Sequence, residues 1–126
     1  MARNVTVFNI SKPFALQASD RDLRAVIVGL QERHIKLSMQ ATPLEASPIC
    51  GRGVEGYETP GDMGRVAHRL LRLGATLDYL SMDEPLFYGH YFKGRGTITS
   101  CQDSIAELAR AALQSVLRSS HLALAR

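Results

Sequence analysis

Apolar and polar positions follow two periods along this chain, and the switch between them recurs three times. Each time a short apolar or alternating run gives way to a stretch whose apolar residues return every three or four positions. Val5-Thr6-Val7-Phe8-Asn9-Ile10 predicts a strand over 5–10, and Lys12-Pro13 ends its pairing because proline has no N–H to donate. Ser19, with Asp22 three residues on, has the pattern of a helix cap. Leu23, Val26, Ile27 and Leu30 then share a face, predicting a helix over 20–33. In a second strand over 35–40, Ile35, Leu37 and Met39 point one way and Lys36, Ser38 and Gln40 the other. Thr59 as cap, Pro60 at the first helical position and Gly74 as a stop frame a helix over 61–73 that buries Met63, Val66, Ala67 and Leu70. A third strand over 76–82 runs into Asp83-Glu84-Pro85. The last helix, over 100–118, takes Ser100 and Asp103 as caps and presents Ile105, Leu108, Ala109, Ala112, Leu113, Val116 and Leu117 as its apolar face.

Strands that alternate with helices need crossovers, and right-handed crossovers join parallel strands. The expected class is therefore α/β, a βαβαβα unit around a parallel three-strand sheet, with residues 1–126 forming one unit. Three parallel strands leave two bare edges, and a complete (β/α)8 barrel takes about 250 residues. The expected architecture is thus a partial TIM barrel, a fragment of a larger one. Val7, Phe8, Leu80 and Phe87 would be left uncovered, with self-association through the exposed edges as the consequence.

Composition narrows the function classes. With 45% apolar and 21% charged residues the chain is not disordered, and no apolar run exceeds four residues, so no membrane-spanning helix is expected. The N-terminus lacks the apolar core of a secretory signal, which points to the cytoplasm. The net charge is +3, and the cations are spread without a run, so no nucleic-acid partner is expected; Arg65, Arg69 and Arg72 read as a solvated helix face. Cys50 and Cys101 lack CxxC spacing and read as reduced, buried or partly buried side chains.

Chemistry concentrates in two places. The stretch 41–60 holds three prolines and three glycines and is long for a connection, which is where working loops are found. Its G-x-G-x-x-G at Gly51, Gly53 and Gly56 neither follows a strand directly nor opens a helix. It reads as a folded loop rather than a phosphate cradle, and no cofactor follows. The four histidines lack zinc-site spacing and no metal is assigned. His90 alone follows Asp83 and Glu84 closely, either to share a divalent ion with them or to hydrogen-bond a carboxylate or a substrate hydroxyl. Asp83 and Glu84 close the third strand at its carboxyl end, where α/β folds keep their active groups. Adjacent carboxylates repel, and burial of Glu84 against the aromatic loop that follows would keep it protonated, as a general acid requires; the alternative is a solvated turn. Phe87, Tyr88, Tyr91 and Phe92, four of the eight aromatics, either pack that loop or form a sugar-stacking platform.

Three segments, Ile35 to Leu44, Cys50 to Tyr57 and Leu77 to His90, carry a resemblance to a bacterial (β/α)8-barrel family related in pattern to glycoside hydrolases. In the glycosidase clan whose acid/base ends the fourth strand, the signature is Asn-Glu-Pro; here it reads Asp83-Glu84-Pro85. The resemblance implies that Glu84 is the acid/base and Asp83 its polar neighbour, and that the three strands are the second to fourth of a barrel. Gln40 stands where the related sequences have an acidic residue. On this reading Gln40, Glu55, Tyr88 and His90 surround the site, the ligand is a carbohydrate, and the chain alone is inactive because the opposing carboxylate lies on a later strand. The alternative is a non-catalytic α/β interaction domain that pairs through its open sheet edges.

Overall fold

The computed structural model describes residues 4–82 and 84–124, with side chains as far as Leu117. Its elements follow one another as β1 (Val7–Ile10), α1 (Lys12–Gln17), α2 (Asp20–Glu32), β2 (Lys36–Ala41), β3 (Leu44–Glu45), β4 (Tyr57–Glu58), α3 (Asp62–Arg72), β5 (Leu77–Met82), a π-helical turn (Phe87–Tyr91), β6 (Gly94–Arg95), β7 (Ile98–Thr99) and α4 (Ile105–Leu124). The class is α/β, and β1, β2 and β5 form a parallel sheet in that order.

The sheet has two unlike faces. Ile10, Leu37, Met39 and Ala41 enter one core with Leu23 and Ile27 of α2 and Met63, Val66 and Leu70 of α3, and Leu80 and Met82 pack against it. By strand alternation the other face carries Val7, Asn9, Lys36, Ser38, Gln40, Tyr79 and Ser81, of which only Ser38 is buried. The register of β2 on β5 shifts between Leu37 and Ser38, and there the Asp78 carboxylate accepts the Leu37 N–H at 2.9 Å. A side chain thus takes over a ladder bond where the bulge interrupts the backbone pattern.

Helix ends follow local chemistry, with two corrections to the expected caps. Ser19 Oγ accepts the Asp22 N–H at 3.0 Å, as its position implies. The cap of α3 is Gly61 rather than Thr59, whose carbonyl instead accepts the Asp62 N–H at 3.1 Å. Pro60 therefore lies outside the helix, in the turn before it. The cap of α4 is Ser104, not Ser100 or Asp103. Ser104 Oγ accepts the Glu107 N–H at 3.2 Å, and Glu107 returns a carboxylate to the Ser104 N–H at 2.7 Å, a full capping box. Ser100 and Asp103 were claimed by other partners: Ser100 donates to the Tyr88 carbonyl at 2.9 Å, and Asp103 accepts from the Tyr57 hydroxyl. Gly74 ends α3 as expected, at φ 86°, while the Ala75 N–H reaches back to the Leu70 carbonyl at 2.9 Å.

Two further expectations change in the helices. Lys12-Pro13 not only ends β1 but opens α1, because Ser11 caps the helix and a proline in the first turn gives up no needed N–H. The apolar face read for α4 is buried only in part, at Leu108 and, half-buried, Ala112. Helix α4 packs on α3 and β3 through the side of Leu108 and Ser115, leaving Ile105, Leu113, Val116 and Leu117 exposed. Gly89 lets Leu108 seat there, since a Cβ on it would fall inside contact distance of Leu108 and 2.9 Å from Leu44.

Cys50 and Cys101 are not reduced. They form a disulfide across 51 residues of sequence, because the fold brings the turn after β3 beside the segment after β7, a proximity that sequence spacing does not encode. Nor is the arginine face of α3 merely solvated. Arg69 donates to the Ala15 carbonyl at 2.8 Å, to the Ala18 carbonyl and to Asp20, satisfying the end of α1, and Arg72 pairs with Asp20 at 3.1 Å. Val7 and Phe8 on the outer strand β1, and Phe87, are exposed, and Leu80 is half-buried. No helix among the described residues is long and apolar enough to cross a membrane.

Candidate functional site

Parallel strands deliver their chain ends to one rim of the sheet. Gln40 is half-buried there and lies opposite Ser81 in the register of β2 on β5. Glu84 follows β5 by two residues, its backbone at φ 38° and its carbonyl accepting the Tyr88 N–H at 3.1 Å. A non-glycine residue in the left-handed region costs roughly 1 kcal/mol, so the turn that carries Glu84 is held by its surroundings. Glu84 is exposed, which corrects the expected burial against the aromatic loop. Asp83 lies outside the described residues.

The aromatic loop closes on itself. Tyr88 is half-buried and meets Phe87 and Phe92 edge-on, at centroid distances of 5.0 and 5.6 Å, whereas Tyr91 is 65% exposed and leaves a ring open to a ligand. His90 donates its Nδ1–H to the Asp103 carbonyl at 2.8 Å and stands edge-on to Tyr91. That bond fixes the ring at the start of α4 and leaves Nε2 as its acceptor. Glu55 is exposed on the turn before β4. Gln40 and Glu84 thus share the strand-end rim, and Tyr88 and His90 share one helical turn.

A second constellation on the same rim escaped the sequence reading. Lys12 follows β1, Thr42 follows β2, Glu58 ends β4 and Asp62 opens α3. Lys12 Nζ donates to Thr42 Oγ1 at 2.9 Å, Thr42 donates to Glu58 Oε2 at 3.0 Å, and the ammonium lies 3.7 Å from both Glu58 Oε2 and Asp62 Oδ2. The Glu58 side chain is fully enclosed, and its Oε1 completes no hydrogen bond. Burial pushes its pKa up, against the opposing pull of the Thr42 hydroxyl, the Lys12 charge and the Met63 amide. The signal that would have found it is positional: Lys12 and Thr42 each stand just past the carboxyl end of a parallel strand, the same criterion that singled out Glu84.

Beside this cluster the stretch 46–60 walls an open cavity of about 530 Å³, lined among others by Ser47, Gly51, Arg52, Tyr57, Glu58 and Thr59. Tyr57 donates to Asp103 Oδ2 at 2.5 Å, and burial followed by that bond pushes its pKa up to about 12. The hydroxyl therefore stays a donor at any physiological pH. Among the described residues no three His, Cys, Asp or Glu side chains gather closely enough to hold a metal ion. No family model, curated protein or solved structure matches the chain.

Proposed function

We propose that this chain is a barrel-type (β/α) unit resembling the glycoside hydrolases, which engages carbohydrate at the carboxyl ends of its strands and does not hydrolyse it alone. The observation that carries this reading is the winding of the sheet. Its strands run parallel in sequential order, Ile10, Leu37, Met39 and Ala41 share one core with α2 and α3, Leu80 and Met82 pack against it, and the opposite face carries Asn9, Ser38, Gln40 and Ser81 beside Val7 and Tyr79. A doubly wound sheet buries both faces, whereas a barrel keeps its helices on one side and turns the other face inward. In that geometry Asn9, Gln40 and Ser81 offer amides and hydroxyls to sugar hydroxyls. The exposed carboxylate of Glu84, three residues beyond Ser81, takes the acid/base role, with Tyr91 or Tyr88 supplying an aromatic face. Cleavage needs two carboxylates flanking the bond, so Glu84 requires a partner from outside this constellation.

The test is a two-dimensional NMR titration of the full chain with gluco-, xylo- and manno-oligosaccharides, beside Glu84→Gln. Shifts confined to residues near 9, 40, 81 and 84, with no released reducing ends, are expected; absence of shifts with every sugar overturns the reading.

A second reading rests on the outer strands. Val7 and Phe8 on β1 and Tyr79 on β5 are 41%, 45% and 48% exposed, so both edges of the sheet present apolar surface beside unpaired backbone groups. A non-catalytic domain that pairs through these edges would sediment as a concentration-dependent oligomer and ignore the sugars.

A further inference from the structure

The wall of the cavity is tied to a part of the chain that contributes no strand to the three-stranded sheet. Residues 98–103 are tied to the stretch 46–58 by the Cys50–Cys101 disulfide, by the Gly51 N–H donating to the Thr99 carbonyl at 2.7 Å, and by the Tyr57 hydroxyl, which donates to Asp103 and also meets Ser100 and the Cys101 backbone. Against its other neighbours the segment is held lightly. A two-residue pairing of β6 with β7, the Ser100 bond to Tyr88 and the His90 bond to Asp103 are its further polar ties. Thr99 and Gln102 are exposed, as is Ile98 at 39%. The main core of β1, β2, β5, α2 and α3 includes neither cysteine.

Access completes the picture. Both cysteines are only half-buried, and Cys50 follows a tight turn in which Ser47 Oγ accepts the N–H groups of Ile49 and Cys50, with Ile49 at its tip 86% exposed. The turn that leads into Cys50 thus protrudes, and both half-buried cysteines lie outside the main core. A half-buried disulfide that joins segments outside the main core is in the position of a labile bond rather than a core staple.

We propose that Cys50–Cys101 is a redox-controlled clamp that ties the stretch 46–58, which walls the cavity, to residues 98–103 and releases it when a dithiol reductant acts. One thiolate of the dithiol attacks Sγ of Cys50, the S–S bond breaks and Cys101 leaves as a thiolate that takes up a proton. The second thiol of the reductant then attacks the mixed disulfide, freeing Cys50 as a thiol. The protein disulfide gains two electrons and the dithiol ends as a disulfide. With the covalent link gone, the Gly51–Thr99 and Tyr57–Asp103 hydrogen bonds are left to hold the wall, and the stretch 46–58 parts from the lead into α4. The clamp does not depend on the carbohydrate reading, which places the sugar at Asn9, Gln40, Ser81 and Glu84, outside the lining of this cavity.

Hydrogen exchange of the full chain, oxidised and then reduced with dithiothreitol, tests the proposal. A Cys50→Ser/Cys101→Ser variant separates loss of the bond from any other effect of the reductant. Exchange in 46–58 and 98–104 is expected to accelerate by about tenfold or more on reduction while amides of α2 and β2 stay protected. Reoxidation by glutathione disulfide should restore the first state, and the variant should match the reduced chain. Unchanged exchange in 46–58, an equal loss of protection in α2 and β2, or failure to reoxidise each overturns the switch. The same samples titrated with the gluco-, xylo- and manno-oligosaccharides keep the two readings apart. Selective opening without sugar binding in either state supports the clamp and removes the carbohydrate reading.

Discussion

The ammonium of Lys12 lies 3.7 Å from Oε2 of Glu58, while Oε1 of the same enclosed carboxylate completes no hydrogen bond among the described residues. Half of this carboxylate is compensated and half is not, which is why burial outweighs its neighbours and its pKa rises. The folded chain then holds the Glu58 proton to higher pH than the unfolded chain does. Because the folded state binds more protons, its stability falls as pH climbs from the ordinary carboxylate value through the raised one. Glu58→Gln removes this fall. Denaturant unfolding between about pH 4 and pH 8 should show the variant gaining stability relative to the parent as pH rises; a difference that does not change with pH contradicts the assignment.

Asp20 has the opposite sign. The hydrogen bonds from Arg72 and then Arg69 hold its carboxyl below the usual range, so its contribution is full above the ordinary carboxylate value and is lost as pH falls through the lowered one. Asp20→Asn should be less stable than the parent at neutral pH and converge with it in acid. Since Asp20 is half exposed, high salt should shrink the difference at neutral pH. Thermal melts across pH and salt provide the measurement.

Gly89 is a packing position. Its missing Cβ makes room for Leu108 and Leu44, so Gly89→Ala overpacks the contact between the π-helical turn and α4, at a cost of about 1–3 kcal/mol. Adding Leu108→Ala should cost less in that background than in the parent. A double-mutant cycle with no coupling between the two positions would refute the contact.

At the end of α2 a residue other than glycine sits in the left-handed turn: His34 has φ 53° and the Ile35 N–H bonds back to the Leu30 carbonyl at 2.9 Å. Relief of about 1–2 kcal/mol of strain, less the roughly 0.5–1 kcal/mol entropic penalty of glycine, predicts that His34→Gly stabilises by about 0.5–1 kcal/mol. Chemical denaturation giving a less stable variant would mean that the His34 side chain carries a compensating role.

Much of this molecule is written in local chemistry. The β-branched run at Val5 to Ile10, the alternation at Ile35 to Gln40, the Ser19 cap, the Met63-Val66-Ala67-Leu70 stripe and the Gly74 stop each act through neighbours in sequence, and the parallel sheet follows from their order. Those features name the strand ends, and with them Gln40 and Glu84, because alternation and proline breaks are properties of the chain itself.

What the local pattern does not contain is which distant groups meet. How much of its apolar stripe α4 buries was decided by the space at Gly89, where Leu108 of that stripe seats, and by α3, since an amphipathic helix buries the side that its neighbours can accept. Cys50 found Cys101, Tyr57 found Asp103 and Arg69 found the carbonyls of α1 across 46 to 54 residues. Lys12, Thr42, Glu58 and Asp62 are unremarkable one by one in the sequence. Their chemistry exists only because parallel strands bring their carboxyl ends to one rim and the packing there closes water out.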